Sequence, residues 1–170
     1  LPAGPSAELD ALLKPLDKAE LTSHALAERF SDARSWQPEI VSDHVRGSPV
    51  RVRSAAVLIP VLGYLSEPEV LLTVRPAHLR SHAGQIAFPG GAVEPDDADR
   101  TATALREANE EIGLDPDMVR IVGYGAAYFS ATGFNVTPVL AVIPPDIALT
   151  PDPGEVAEIF EVPLDFLLDP

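Results

Sequence analysis

Cysteine is absent from the 170 residues. Disulfides and thiolate metal sites are thereby excluded, and any metal must be held by oxygen or imidazole. Basic residues are scarce: 12 Lys and Arg stand against 26 Asp and Glu, for a formal net charge of -14. Duplex nucleic acid needs a basic face that such a chain does not offer, whereas a single phosphorylated small molecule is permitted where cations screen it. Long apolar runs are missing too. None approaches the ~18 residues of a membrane span, and the N-terminus lacks the basic-then-apolar pattern of a secretory signal. The expectation is a soluble cytoplasmic protein with no membrane or nucleic-acid partner. Leu1 is not a start methionine, so trimming at one or both ends is expected.

What is present is 46% hydrophobic, enough for one domain with a sizeable core and a short extension. Residues 1–49 alternate proline-containing turns with short helical patterns. Leu9, Leu12, Leu13 and Leu16 recur at roughly helical spacing, and Thr22 or Ser23 can cap a second helix. This reads as a helical extension and linker, through which a homodimer would form. From 50 onward the character changes to valine-rich strands. RVRSAAVLIPVLGYL and EVLLTVR flank a turn at Ser66, Glu67 and Pro68, and read as two paired strands. IVGYGAAYFS and FNVTPVLAVI read as two more around Ala131-Thr132-Gly133, and EVAEIFEVPL as a short strand running into a terminal helix at Pro163. Strands and helices mix without regular βαβ alternation, so a mixed sheet covered by helices is expected in the domain 50–170.

One helix stands between the strand groups, from about Asp99 to Ile112 and closed by Gly113. On a helical wheel Leu105, Ala108 and Ile112 share one arc, and Glu107, Glu110 and Glu111 are read as the opposite, acidic side. Like charges at these spacings cost a few tenths of a kcal/mol per pair. A plain solvated face is one reading; the residues just before the helix point to another. Gly90 and Gly91 allow backbone to approach a ligand closely, and Pro89 stiffens the approach. Three carboxylates with a nearby carbonyl form a hard, oxygen-lined site of the kind Mg²⁺ or Mn²⁺ prefers. Arg106 can orient one carboxylate through a bidentate contact or serve as an exposed i,i+4 partner of Glu110. Asp96, Asp97 and Asp99 lack the alternation of a calcium loop and suit the helix N-terminus instead.

GGAVEPDDADRTATALREANEEIGL resembles the signature box of the Nudix hydrolases. Its second half, Arg106 to Leu114, matches at every specified position with Ala108 as the apolar one. The first half departs: the acid six residues after Gly91 is Asp97 rather than Glu, and the stretch from it to Arg106 is one residue longer than usual. The resemblance therefore implies Glu107, Glu110 and Glu111 as metal ligands and leaves Asp97 outside that set. Upstream, LLTVRPAHLRSHAGQIAFPGG is similar to the additional signature of the coenzyme A pyrophosphatase branch. Leu71, Leu72, Thr73, Arg75, Arg80, Gly84, Phe88, Pro89, Gly90 and Gly91 fall in register, while Pro76 stands where a small residue is usual. His78 and His82 are four apart without the helical context of a zinc pair.

The resemblance implies an α/β/α sandwich with a mixed sheet and a loop-helix-loop metal site. It implies hydrolysis of the pyrophosphate of coenzyme A or an acyl derivative with Mg²⁺ or Mn²⁺, or of another nucleoside diphosphate derivative such as ADP-ribose or a dinucleoside polyphosphate. A non-catalytic nucleotide-binding module is the third alternative. Expected ligands are Glu107, Glu110, Glu111, Gly91 and Glu155, the last from a region where some members supply a further carboxylate. Glu110, Glu107 and Arg106 are the expected catalytic groups, with Glu110 as base. Arg75, Arg80, Gly84, Phe88 and Gly90 are the expected substrate contacts.

Overall fold

The computed structural model describes residues 21–31, 52–63, 67–79, 82–130 and 132–168. The leucine pattern from Leu9 to Leu16 lies outside them. The first described helix, α1 (Ser23–Ser31), opens at Thr22, whose hydroxyl accepts from the Ala25 N–H at 3.2 Å. The Thr22 hydroxyl thus makes a capping contact of the kind expected of it.

A mixed sheet follows. Strands β1 (Arg53–Leu62) and β7 (Phe134–Ile143) pair in parallel along their whole length, from Arg53 opposite Phe134 to Leu62 opposite Ile143. Both are almost continuously apolar, as a pair covered on both faces requires. β2 (Glu69–Val74), β3 (Ile86–Ala87) and β4 (Gly90–Ala92) lie on the far side of β1. β5 (Arg120–Tyr124) and β6 (Tyr128–Phe129) pair antiparallel with β7. β8 (Glu158–Pro163) runs antiparallel along β2 and leads into α3 (Leu164–Leu168).

The expected pairing of β1 with β2 is real but short. Only Val61 and Leu62 of β1 meet β2, whereas Ala55 to Val57 pair with β4. Pro60 sits between these two stretches. The Leu58 N–H is directed to the Pro89 carbonyl at 2.8 Å, so by the period of two the nitrogen of Pro60 faces the same edge, where no partner strand needs a donor. The strands part there, and the β3–β4 segment wedges into the opening.

Packing on the two faces makes the sandwich expected from the sequence. One face buries Ala56, Leu58, Leu62, Leu71, Val139 and Ala141 against Ala104, Ala108 and Ile112 of the helix α2 (Arg100–Ile112). The other packs Val61, Val70 and Leu140 against Leu21 and Leu26 of the N-terminal segment and Leu164 of α3. Among the described residues no helix is long and apolar enough to cross a membrane.

Candidate active site

Helix α2 carries both terminal signals. The Asp99 side chain accepts from the Ala102 N–H at 2.8 Å, and Gly113 adopts the left-handed conformation, φ 67°, with its N–H turned back to Ala108 and Asn109. Thus fixed, the helix lies across β4. A Cβ on Gly91 would collide with the Glu107 carboxylate, and one on Gly90 with the Ala56 carbonyl and the Val57 backbone. The paired glycine is therefore the floor on which the acidic side chains rest.

Glu111 departs from the wheel reading. It is 4% exposed, on the packed side of α2, seven residues from Ala104 and so on the same stripe. Leu105, assigned to the packing arc, is only partly buried. The Glu111 Oε2 accepts from the Gly90 N–H at 3.2 Å, and its Oε1 lies 3.9 Å from Arg75 Nη1. Burial pushes its pKa up to about 7; the charges of Glu107 and Glu155 add to the rise, while the Gly90 N–H and Arg75 oppose it. Glu107 is raised in the same direction, by burial first and then by Glu110 and Glu155, against the pull of Arg106.

Glu155 comes from a separate loop, and its charge is felt by both of these carboxylates. The loop is sewn to the end of α2: the Thr150 N–H donates to Ile112 O and the Asp152 N–H to Glu111 O, both at 2.9 Å, while the Glu155 N–H returns to Asp152 O at 3.0 Å. Asp152 anchors this loop, and the only sequence signal for it is the turn pattern Pro151-Asp152-Pro153-Gly154, which places Glu155 just beyond it.

Arg106 makes a bidentate contact and an i,i+4 contact at once, but the first goes to Asp97 rather than to the acidic face, and the guanidinium is only 23% exposed. Its Nε and Nη2 grip Asp97 at 3.0 and 3.1 Å, Nη2 also donates to Ala92 O at 3.1 Å, and Nη1 bridges Glu107 Oε1 at 3.1 Å and Glu110 Oε2 at 2.9 Å. The bidentate partner is Asp97, which is thereby occupied as an anchor. This pairing holds the Asp97 carboxyl well below the usual range and the guanidinium above its own. The acid shorter by one methylene and the spacing longer by one residue thus still meet.

Of the second motif, Arg75 reaches the site, and its buried Nε lacks a hydrogen-bond partner. Gly84 adopts φ 69° with open space around it, so it serves the turn rather than a close approach. Phe88 packs into the second core cluster, a structural placement for a residue assigned to substrate. Arg80 lies outside the described residues. His82 Nδ1 meets Gln85 Oε1 at 2.7 Å, a hydrogen bond within its own loop.

The candidate donors are all oxygen, drawn from α2, β4 and the loop that carries Glu155, and the carboxylates among them repel one another, which suits a hard divalent cation. No three acidic or histidine side chains among the described residues already close around one point. Mg²⁺ does not demand that, since it commonly keeps several waters and uses one or two carboxylates.

A family model described as the NUDIX domain matches residues 52–170. The chain belongs to that family and is a Nudix hydrolase, a class that generally uses divalent metal ions. It is similar to the uncharacterized Nudix hydrolase NudL of Citrobacter koseri, 48% identical over 149 residues, a match covering 88% of this chain and 73% of that protein. NudL of Shigella flexneri serotype 5b is 45% identical over 126 residues, covering 74% of this chain and 65% of that protein. Among solved structures, an Ap4A hydrolase of C. elegans shares the fold with a TM-score of 0.57 at 21% identity, over 69% of this chain and 84% of that one.

Gly91→Ala should push Glu107 aside and lower activity by about 10- to 100-fold with a small change in Tm, because the displaced atoms are the end of a side chain. Wild-type kcat in the folded variant would contradict that placement.

Proposed function

We propose that this chain hydrolyses the pyrophosphate bond of coenzyme A or an acyl-coenzyme A. The products are 4'-phosphopantetheine, or its acyl form, and adenosine 3',5'-bisphosphate. The catalytic unit is 50–170, and 1–49 is its extension. The observation that most supports the reading is the position of Arg75: a guanidinium from the second motif stands beside Glu111 of the first, with a buried Nε–H still lacking an acceptor. Phosphate oxygens match such a fork well. Arg80 supplies a second cation in the same motif.

Glu107, Glu110, Glu111, Glu155 and the Gly91 carbonyl would hold Mg²⁺ or Mn²⁺. When bound, the ion supplies polarisation of the diphosphate and relief of its charge. Glu110 is half exposed, its Oε2 tied to Arg106, so its other oxygen, Oε1, is the one that takes the proton of the attacking water. The water oxygen joins one phosphorus, the anhydride bond breaks, and the electron pair leaves with the departing phosphate. Arg106 holds Glu107 and Glu110 in place throughout.

The test is a panel of pyrophosphate substrates assayed with Mg²⁺ or Mn²⁺. Coenzyme A should exceed its form lacking the 3'-phosphate by roughly 10- to 100-fold in kcat/KM, the worth of one to two charge-assisted hydrogen bonds. Equal or higher rates on ADP-ribose or a dinucleoside polyphosphate would move the assignment to those substrates.

A further inference from the structure

We infer that Thr103 is a positioning residue of this site, one whose buried hydroxyl locks the Asp97–Arg106 clamp that aims Glu107 and Glu110. The inference rests on the proposed metal-dependent hydrolysis.

Thr103 is 0% exposed on α2, in a row of the helix where an apolar residue would pack as well. A buried hydroxyl costs free energy unless it is bonded. The local default for threonine in a helix is the carbonyl four residues back, here Asp99 O at 3.2 Å. The shorter contact is to Asp97 Oδ2 at 2.9 Å. That oxygen also accepts from the Glu94 N–H at 2.9 Å and Arg106 Nη2 at 3.1 Å. Three donors from two segments therefore fix one carboxylate oxygen: the Glu94 N–H of the loop, and Thr103 and Arg106 of the helix.

The chain of contacts continues outward. Asp97 sets the plane of the guanidinium through its two bonds, and Nη1 of that guanidinium spans Glu107 and Glu110. Without the Thr103 hydroxyl, Asp97 keeps its charge but gains rotational freedom, and Arg106 with it. Supporting shells of this kind are commonly worth 10- to 100-fold in metal affinity or activity. The Thr103 hydroxyl bonds Asp97 and Asp99, neither of them a proposed metal donor or substrate contact, so its effect should reach kcat and metal activation and spare the KM for substrate.

The experiment compares the full chain with Thr103→Val, which keeps the volume and removes the hydroxyl, and Thr103→Ser, which keeps the hydroxyl. Steady-state rates are measured against Mn²⁺ and against substrate below the Tm of each variant. The valine variant should need about tenfold more Mn²⁺ for half-activation and lose about tenfold in kcat with KM within twofold; serine should restore both. Asp97→Asn and the double variant with Thr103→Val should be equally impaired, because both changes cut the same chain. If the valine chain does not fold, Thr103→Ala reads the same quantities. Wild-type kcat and Mn²⁺ response in a folded hydroxyl-less variant would overturn the inference. An inactive wild type would instead overturn the proposed function.

Discussion

Glu110→Gln is expected to lower kcat by ~10²- to 10⁴-fold, the range a positioned general base supplies, while the fold stays intact. The side chain is 54% exposed and paired i,i+4 with Arg106 at 2.9 Å. Exposed pairs of that type are worth only about 0.3–0.5 kcal/mol, so Tm should move by no more than a few degrees. Circular dichroism and steady-state rates on one preparation check both halves. Near-normal turnover would remove Glu110 from its role and pass the proton to another carboxylate. Glu111, with its raised pKa, would be next in line.

Glu111 carries the second large effect, on stability. Its carboxyl has an ordinary value of 4.5 and is pushed up to about 7 in the folded chain, chiefly by burial. A group whose folded pKa is raised contributes fully below the unfolded value and loses that contribution as pH climbs through the folded one. Metal-free protein should therefore lose roughly 3 kcal/mol from this group between pH 4.5 and 8. Glu107 acts in the same direction. Asp97, with its lowered pKa, has the opposite sign, and its loss falls in acid, below this window. Glu111→Gln should flatten the profile, making the metal-free protein more stable at pH 8 while removing activity. Urea unfolding with a chelator at pH 5 and pH 8 reads the difference. A wild-type profile no steeper than that of the glutamine variant would contradict the burial account.

Much of this site was legible because its signals are local. The cap at Asp99, the left-handed stop at Gly113 and the paired glycine each announce a backbone requirement that neighbouring residues alone decide. The mixed sheet followed from irregular alternation of strands and helices. The β1–β7 pairing did not, since it joins segments some eighty residues apart and neither apolar run encodes its partner. The position of Glu111 was missed for a related reason. A wheel read from charge types puts every glutamate with its own kind, yet this one is held on the buried stripe by the Gly90 N–H of another element. Asp97 and Arg106 lay open to inspection as charges, but their mutual grip depends on how the intervening loop folds. Glu155 was reachable by resemblance alone, because its approach to Glu107 and Glu111 is made by loop bonds to the end of α2.

On the proposed function, carboxylates of α2 and its adjoining loop hold a divalent ion for hydrolysis of a diphosphate. Mass spectrometry of products after incubation with coenzyme A, with Mg²⁺ or Mn²⁺ and with a chelator, tests it most directly. The expected result is 4'-phosphopantetheine and adenosine 3',5'-bisphosphate in equal amounts, formed only with metal. Unchanged coenzyme A under all conditions, or the same products in the presence of chelator, would contradict it.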